Sequence, residues 1–370
     1  MRIGFDGKRV VQNFTGLGNY SRFILNLLIN HFPENDYWVY SKKKAAANLK
    51  IPAGVKFRHP AGYRFPLWRS YGILTDLRKD KLSLYHGLSN ELPFGIRSAK
   101  IPSVVTVHDL IFLRFPEFYS AIDRFIYKYK FEYACKKATR IIAVSEQTKK
   151  DIVSYFHIPE DKIDVIYQGC NDAFKSSATA EQKSKVNKKY NLPANYLLQV
   201  GTIEERKNLM LTVKALLGVP SEIKLVVIGK QTEYAREIKE YILNHKLENR
   251  VVFLKNVPVD DLPAIYQQAK IFVYPSEFEG FGIPIIEALH SGVPVIGAIG
   301  SCLEEAGGPK SCYVHPKDDV RLSWTINSIL SSNAKRDEMI KAGYAYVKKF
   351  SNAQLANDLM EVYKKVLNNA

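Results

Sequence analysis

Cysteine is scarce in this sequence, and its spacing excludes two common uses of the residue. The four cysteines, Cys135, Cys170, Cys302 and Cys312, form no CxxC pair, and no cluster of histidines lies near them. Structural zinc sites and disulfide frameworks need such patterns. We therefore expect reduced thiols that are mostly buried.

Long apolar runs are also missing. No run reaches 18 apolar residues, which excludes a membrane-spanning helix of the usual kind. The first residues, MRIGFDGKRVVQNF, predict a strand followed by a polar loop, and they have neither the apolar middle nor the cleavage site of a signal peptide. We therefore expect a cytoplasmic protein.

Acidic residues are outnumbered, and the formal charge of the chain is +16. Residues 1–172 contain 27 Lys and Arg against 16 Asp and Glu, so most of the surplus lies in the first half. This distribution favours an anionic partner, such as a membrane surface, a phosphorylated substrate or a nucleic acid. Simple solubility would account for the charge equally well.

What the sequence does contain is a regular alternation of β-branched or aromatic runs with amphipathic stretches. It predicts strands at 3–7, 36–41, 55–59, 82–86, 103–108, 140–145, 163–168, 196–201, 224–229, 251–255, 271–275, 293–297 and 312–315. Such alternation favours parallel sheets covered by helices on both faces. We therefore expect an α/β protein with two doubly wound domains.

The domain boundaries follow from a change in composition. Residues 173–192 are rich in Ser, Ala and Lys and predict a linker that is partly helical. The domains are then 1–172 and 193–350, with a polar amphipathic helix over 351–370 at the end. Ligands of open parallel sheets bind beyond the carboxyl ends of the strands, so each domain can hold one substrate of a two-substrate reaction.

The stretch EFEGFGIPIIEALHSGVPVI, residues 277–296, is the most informative motif. It places Glu279 and Glu287 eight positions apart, with a Gly-Phe-Gly turn and Pro284 between them. Pro284 fits the first turn of a helix, so Glu279 should lie on the preceding loop and Glu287 one turn into the helix. Glycines and a helix start suit a phosphate, and the acids suit sugar and ribose hydroxyls. A buried strand–turn–helix with acids facing solvent would have the same composition.

The full string resembles the E-x7-E signature of the retaining glycosyltransferases of family 4, which includes bacterial mannosyltransferases. The resemblance covers nearly the whole chain and implies the GT-B fold, with two Rossmann-like doubly wound domains facing an interdomain cleft. It implies that the first domain binds the acceptor and the second the nucleotide sugar. The closing helix would return to the first domain, or else simply complete the second.

By that resemblance, the motif supplies Glu279 as a catalytic residue that orients the sugar. Gly282, Ile283 and Pro284 would bind the donor phosphates, and Glu287 would bind the ribose. These roles are expectations that follow from the family resemblance.

The stretch QVGTIEERKNLMLTVKAL, residues 199–216, resembles the first strand of the family's second domain and the loop after it. Arg206 and Lys207 match the basic pair that stabilises the leaving diphosphate. Alternatively, they form a solvated pair at a helix start, where positive charge is disfavoured. Many members have Gly-Arg after this strand, whereas this chain has Gly201-Thr202, so Arg206 is expected to hold more of the phosphate.

The stretch KNVPVDDLPAIY, residues 255–266, resembles the loop that holds the nucleobase, with backbone groups of Asn256 and Val257 in contact with the base. Asp260 and Asp261 lie at a helix start, where capping explains them better than a metal-binding DxD motif. We expect no metal and no cofactor apart from the nucleotide-sugar substrate.

Two stretches of the first domain also match the family. In NFTGLGNYSRFILNLL, residues 13–28, Gly16 and Gly18 would let backbone amides approach the donor phosphate or the acceptor. In VVTVHDLIFLRFPEFY, residues 104–119, His108 would end a strand close to the sugar and act as a catalytic residue, although a lone histidine is often structural.

Two further residues of the first domain have uncertain roles. Asp109 follows His108 and either contacts the acceptor or caps the next helix. Ser145, in IIAVSEQTKKDI, either contacts a substrate or caps a helix.

The resemblance implies a retaining transfer of a hexose, by preference mannose, from a GDP- or UDP-linked sugar. The acceptor would be a glycan or a lipid-pyrophosphate-linked intermediate of cell-surface polysaccharide synthesis. No nucleophile is obvious, so positioning and charge stabilisation would supply the catalysis. A GT-B epimerase or phosphorylase is the nearest alternative.

Aromatic and basic residues interleave at 63–70 and 119–140, which suits peripheral binding to anionic lipids on the inner face of the plasma membrane. An ordinary helix with aromatic residues packed inward would give the same pattern. The composition also admits a basic nucleic-acid-binding protein, but no helix-turn-helix, zinc finger or RNP motif is present. A dinucleotide-binding dehydrogenase would need G-x-G-x-x-G after the first strand, and this is absent.

Overall fold

The computed structural model describes residues 1–14, 16–46, 49, 51–60 and 67–368. Contacts divide the chain into two units: residues 1–168 with 350–370, and residues 169–349. Each unit is built on one parallel sheet.

The first unit contains seven strands among the described residues, all paired in parallel in the order β3-β2-β1-β4-β5-β6-β7. Helices cover both faces of the sheet, and two hydrophobic clusters form its core. Its elements up to residue 165 are β1 (Arg2–Asp6), α1 (Lys8–Gln12), α2 (Gly16–His31), β2 (Asp36–Tyr40), β3 (Val55–Arg58), α3 (Ile73–Lys79), β4 (Leu84–Gly87), β5 (Ser103–Val107), α4 (Ile111–Arg114), α5 (Ala121–Lys137), β6 (Arg140–Ala143), α6 (Glu146–Phe156) and β7 (Ile163–Val165).

The second unit contains six parallel strands in the order β10-β9-β8-β11-β12-β13. Its elements are α7 (Ala180–Tyr190), β8 (Tyr196–Val200), α8 (Leu209–Ala215), β9 (Lys224–Ile228), α9 (Tyr234–Asn244), β10 (Val251–Leu254), α10 (Leu262–Tyr266), β11 (Ile271–Tyr274), α11 (Ile283–His290), β12 (Val295–Ala298), α12 (Leu303–Gly307), β13 (Cys312–Val314), α13 (Asp319–Leu330) and α14 (Asn333–Tyr346).

The sequence-based strand predictions are confirmed. Each of the thirteen predicted strands is present, with ends that differ by no more than three residues. Strands such as β5 and β11 are buried at every position, because helices cover both faces of a parallel sheet and exclude water from both sides. The expectation of reduced, mostly buried cysteines is also confirmed.

The last helix, α15 (Asn352–Asn368), lies on the first unit. Leu355, Leu359 and Tyr363 join the same hydrophobic cluster as residues of α2 and β1. The Tyr363 hydroxyl lies 2.7 Å from Nδ1 of His86, a buried residue of β4. The chain therefore returns to the first sheet after it has formed the second.

Residues 173–192, where the sequence indicated a linker, belong to the second unit by their contacts. Helix α7 starts with a capping box formed by Thr179 and Gln182, and it packs against α10. Lys189 Nζ lies 2.7 Å from Asp261 Oδ2, and the Tyr190 hydroxyl donates to the same oxygen at 2.6 Å. The expectation that Asp261 caps α10 is wrong, because these two partners on α7 bind its carboxylate instead and no side-chain capping bond forms.

Each sheet has a point where the strand order reverses. In the first sheet it lies between β1 and β4, and in the second between β8 and β11. Loops that follow these strands diverge to opposite sides and leave a crevice, where ligands of such sheets commonly bind. Among the described residues, no helix combines the length and apolar composition needed to cross a bilayer.

Candidate functional site

The loops after β8 and β11 lie side by side at the strand-order reversal of the second sheet, and hydrogen bonds join them. The Glu277 N–H donates to the Arg206 carbonyl at 2.9 Å, and the Ser276 hydroxyl oxygen lies 3.1 Å from the same carbonyl oxygen. Asn208, in a left-handed conformation, donates from Nδ2 to the Pro275 carbonyl at 3.3 Å. These bonds fix two stretches about 70 residues apart in sequence as one surface.

The Glu279 carboxylate is the centre of this surface. Its Oε1 atom is contacted by Lys207 Nζ and lies 3.0 Å from Arg206 Nη1. The Ser276 hydroxyl donates to Oε1 at 2.6 Å, and the Tyr274 hydroxyl donates to it at 3.1 Å. The structure thus brings together Arg206, Lys207 and Glu279, three of the four residues that the sequence indicated as catalytic.

These contacts keep Glu279 ionised. Burial alone would raise the pKa of its carboxyl group, but the charges of Lys207 and Arg206 outweigh burial and lower that pKa to about 2. Arg206 also pairs with Glu204 at 2.6 Å, and the Glu204 side chain is 37% exposed. Two cations and two carboxylates therefore balance within this site, and one of those carboxylates reaches solvent.

Two residues that sequence reasoning missed hold the Lys207 side chain and backbone, and a third, Thr212, supports one of them. The Tyr274 hydroxyl, at the end of β11, lies 2.6 Å from Lys207 Nζ. Gln199 on β8 donates to the Lys207 carbonyl at 3.1 Å and accepts from the Thr212 hydroxyl at 2.7 Å. Gln199 is polar within an otherwise apolar strand, and this was the available signal in the sequence.

The turn between the two acids has the form that the motif predicted. Gly282 has φ +120°, and a Cβ atom there would lie 3.1 Å from the Leu303 side chain, so only glycine fits without strain. The buried Cys302 sulfur lies 3.0 and 3.1 Å from the carbonyl oxygens of Glu279 and Phe281, either of which can accept its single S–H. The turn is therefore held by contacts from α12 and its N-cap residue.

Helix α11 begins at Ile283, with Pro284 in its first turn, as predicted. Glu287 follows one turn later and is half-buried. It accepts a hydrogen bond from the Tyr266 hydroxyl at 3.0 Å, and among the described residues it has no cationic partner within salt-bridge distance. Burial raises the pKa of the Glu287 carboxyl group to about 7. The two acids of one motif therefore have opposite tendencies to ionise, as their different surroundings require.

This difference predicts a pH-dependent stability. The pKa of the Glu287 carboxyl group is higher in the folded protein than its value of 4.5 in the unfolded chain. Its contribution to the free energy of unfolding is therefore fully present below pH 4.5 and is lost as the pH rises through about 7. Over that pH range, we expect the free energy of unfolding of the wild-type protein to fall by up to about 3 kcal/mol relative to that of Glu287→Gln. Denaturant unfolding of both proteins between pH 5 and 8 measures it, and a difference that stays constant with pH would contradict the assignment.

Asn256 and Val257 lie on the loop after β10, at the same edge of the sheet. Asn256 is exposed and has φ +52°, and Val257 is half-buried. No contact joins them to Glu279 among the described residues, so their expected role in binding the base stays a prediction.

In the first unit, His108 follows β5 and is buried. Its Nε2–H donates to the Leu88 carbonyl at 2.9 Å, and its Nδ1 lies 3.4 Å from the Gln168 amide nitrogen. The Tyr20 ring meets it edge-on, with centroids 4.6 Å apart. Burial, with a smaller effect of the Arg9 charge, lowers the pKa of His108 to about 4. His108 is therefore neutral near pH 7 and suited to positioning.

The two glycines of the first loop differ. Gly18 is buried in α2, and a Cβ atom there would lie 1.9 Å from the Asn13 carbonyl oxygen. Its N–H donates to the Asn13 side chain at 3.2 Å, so packing within the chain accounts for this glycine. Gly16 is exposed at the start of α2, with no atom within 4 Å of a built Cβ. The fold itself does not require glycine at position 16.

Ser145 takes the capping position that the sequence left as one alternative, whereas Asp109 lies one residue before Leu110, the N-cap residue of α4. Asp109 accepts from the Ile111 N–H at 3.3 Å at the start of α4. Ser145 is fully buried and accepts from the Thr148 N–H at 3.0 Å at the start of α6. Among the described residues, no group of three or more His, Cys, Asp or Glu side chains is arranged to hold a metal ion.

Comparison with known proteins agrees with this architecture. Residues 180–346 match the model of the glycosyl transferases group 1, and residues 32–174 match that of glycosyltransferase family 4. The chain is 31% identical to O-antigen chain mannosyltransferase B of Escherichia coli over 294 residues. This alignment covers 78% of the chain and 76% of the Escherichia coli protein. It is 27% identical to the capsular polysaccharide glycosyltransferase CapM of Staphylococcus aureus, over 82% and 84% of the two chains.

Solved structures share the fold at lower identity. Anabaena HepE, in complex with UDP and glucose, has a TM-score of 0.77 and 18% identity, covering 98% of this chain and 99% of its own. Sucrose-phosphate synthase from Thermosynechococcus elongatus has a TM-score of 0.80 and 19% identity over the full length of both chains. Two doubly wound Rossmann-like units of this kind define the GT-B fold. The family models and the mannosyltransferase relatives show that the protein is a glycosyltransferase. The chain belongs to glycosyltransferase family 4.

Proposed function

We propose that this enzyme transfers a hexose, in the first instance mannose, from a nucleoside-diphosphate sugar to a glycan or lipid-linked acceptor in the synthesis of a cell-surface polysaccharide. The observation that carries the proposal is the joined pair of loops that presents Arg206, Lys207 and Glu279 together at the strand-order reversal of the second sheet. The choice of mannose rests on the similarity to mannosyltransferase B and to the serotype-specific mannosyltransferase WbdA, both of Escherichia coli. The retaining outcome rests on family membership.

In this reaction, negative charge develops on the diphosphate as the glycosidic bond breaks. Arg206 and Lys207 lie where they can stabilise that charge, with the amides before Pro284 adding the positive end of α11. The ammonium group of Lys207 has three N–H donors, of which Tyr274 and Glu279 engage two. Glu204 is the exposed counter-ion that a diphosphate would displace from Arg206.

Glu279, ionised and held on several sides, would orient hydroxyls of the transferred sugar. Glu287, which lacks a cation, would accept from ribose hydroxyls or, when protonated, donate to them. His108 would position the acceptor through Nδ1, which can accept a hydrogen bond while its single N–H, on Nε2, is held by Leu88. No step in this scheme needs a metal ion or a second cofactor.

A direct test is to offer the purified protein GDP-mannose, UDP-glucose and UDP-galactose with synthetic lipid-diphosphate-linked glycans. Transfer from GDP-mannose, with NMR showing the same anomeric configuration in donor and product, supports the proposal. Preferential transfer from a UDP-sugar would show that mannose is not the transferred sugar. Epimerisation of the donor without transfer would favour an epimerase, and phosphorolysis without transfer would favour a phosphorylase.

Helix α5 supports a membrane partner for the first unit. Ile122, Phe125, Ile126 and Tyr129 recur at the spacing of one helix face and are 74%, 75%, 40% and 59% exposed. We name these four residues the α5 stripe. Monomeric proteins seldom expose so many adjacent large apolar side chains without a partner.

Exposed cations flank the α5 stripe. Arg124 and Lys128 lie on the same two turns, whereas Asp123 is engaged by Ser120. Phe94 stacks on Tyr71 and tilts against Tyr129, which extends the aromatic surface. An apolar face bordered by positive charge suits the interface of an anionic bilayer, where a lipid-linked acceptor would reside. The other stretch in which aromatic and basic residues interleave is 63–70, and its residues 63–66 lie outside the described residues.

We expect the double substitution Ile122→Ser and Phe125→Ser to lower binding to phosphatidylglycerol vesicles about tenfold or more, because two exposed apolar side chains no longer enter the bilayer. Flotation of wild type and variant at moderate salt measures the effect. Val320→Ser, which removes an equally exposed apolar side chain from the second unit, should bind like wild type. Equal flotation of the stripe variant, or no wild-type binding, would exclude this surface as the contact.

A further inference from the structure

The strand-order reversal of the first sheet also carries charged side chains. Asp6 ends β1, Arg9 lies in the helix that follows, and Leu88 to Glu91 follow β4 on the other side of the reversal. His108 is tied to this place, because its Nε2–H donates to Leu88 and its backbone N–H donates to Asn90 at 2.8 Å. This edge of the first sheet therefore corresponds to the edge that holds Glu279 in the second.

Two of the arginines near this edge are fully engaged within the protein. Arg69 forms a two-pronged pair with Asp6, at 2.9 and 2.7 Å, and a third bond to Glu91. Arg22 donates to the carbonyls of Val10 and Asn13 and to the Asn19 side chain. Both are structural cations whose donors are used by the fold.

Arg9 differs from both. It is half-buried, and its Nε atom is shut off from solvent without a hydrogen-bond partner. Within the part of the chain that the structure describes, no carboxylate lies within 4 Å of its guanidinium group and no carbonyl accepts from it. Burial of a charged donor without a partner is costly, and such groups are usually paired. The charge of Arg9 is nevertheless close enough to His108 to lower its pKa.

We propose that Arg9 binds a phosphate group of the acceptor, next to His108, and so selects acceptors that carry a phosphate or diphosphate link. The inference rests on the proposed function, which supplies the acceptor, but the anion site itself is read from the first unit alone. The planar guanidinium fork matches two phosphate oxygens, which a lysine point charge does not. Lys8, exposed on the adjacent turn position, adds positive potential.

The surroundings favour an anion from outside over a carboxylate of this chain. Asp6 and Glu91, two acids at this edge, are held by Arg69, so neither is available to Arg9. His108 is neutral near pH 7, so its side chain carries no charge that could pair with or repel the Arg9 guanidinium group. An arriving phosphate would pair with the accessible part of the half-buried Arg9 guanidinium group, whose charge no carboxylate balances within the described residues.

A local test uses the full chain with 15N-labelled arginine and follows the Nε–H resonances as inorganic diphosphate is added. We assign Arg9 by the Arg9→Lys variant and use Arg97, exposed and placed before β5, as the matched control. We expect a saturable shift of the Arg9 resonance and none for Arg97. An Arg9 resonance that stays fixed, or moves only in parallel with Arg97, overturns the site.

The source of the phosphate is decided by adding GDP or UDP alone. A shift of the Arg9 Nε–H resonance on addition of the nucleotide alone would assign the bound phosphate to the donor. That result would overturn the acceptor proposal. Movement of Arg206 with the nucleotide tests the donor site independently, so failure of the proposed function would be seen at Arg206 and failure of this inference at Arg9.

Kinetics provide the second arm, with a lipid-diphosphate-linked glycan and the same glycan as an octyl glycoside. We expect Arg9→Met to raise the acceptor KM for the diphosphate-linked glycan about tenfold or more, with little change in kcat or donor KM, because a charged hydrogen-bonding partner is lost. The octyl glycoside should be used equally by wild type, Arg9→Met and Arg97→Met. An equal loss on both acceptors, or a rise in donor KM, would contradict phosphate recognition.

Discussion

Replacing Glu279 by glutamine is expected to lower transfer by about 100-fold or more, the cost typical of losing one preorganised charged group beside the reacting atoms. Glutamine keeps the volume of the side chain and can still accept from Ser276 and Tyr274. It removes the negative charge that sets the positions of Lys207 and Arg206. Steady-state transfer from GDP-mannose measures the effect.

The same change is also expected to destabilise the second unit. Glu279 and Lys207 are both largely buried, and removing one member of such a pair costs about 3–5 kcal/mol because the other charge stays desolvated. Glu204→Gln is the matched control, since its carboxylate also pairs with Arg206 but is exposed, and it should cost about 1 kcal/mol or less. Near-normal turnover of Glu279→Gln would remove Glu279 from the mechanism.

The second large effect is expected at Lys207. Lys207→Met retains the length of the side chain but removes the cation, and transfer should fall by about 100- to 1,000-fold because the leaving diphosphate loses a charged partner. The pKa of Glu279 should rise, since the Lys207 charge is the larger of the two cationic contributions that lower it. Steady-state transfer rates measure the first consequence. The pH dependence of denaturant unfolding measures the second.

The double variant Lys207→Met with Glu279→Gln separates catalysis from folding. With neither charge present, much of the stability lost in each single variant should return, because no unpaired ion is left between them. Activity should stay as low as in the single variants. Recovery of activity together with stability would mean that the pair acts only through the fold.

The sequence anticipated the architecture well because parallel strands buried on both faces leave a simple signature. Runs such as SVVTV at β5 and IFVY at β11 are short and rich in β-branched or aromatic residues, which favours buried strands, and the strands were found from them. Pro284 and Gly282 likewise have few alternatives, since one fits a helix start and the other a left-handed turn. Local backbone requirements of this kind are visible in single residues.

Contacts between distant loops were not visible in the same way. Tyr274 and Gln199 hold Lys207, but their spacing in the sequence gives no sign of it, because the two loops meet only after the sheet has formed. The neutral state of His108 and the high pKa of Glu287 also arise from burial, which the sequence does not specify. Asp261 was misjudged for this reason, since its partners lie on α7.

The return of α15 to the first unit has a consequence for how the protein is made. Leu359 and Tyr363 belong to the same core as Ile3, so the first unit needs residues that are synthesised after the whole of the second unit. The second unit, residues 169–349, is continuous and can fold as it emerges. The core of the first unit can therefore be completed only after the second unit has been synthesised.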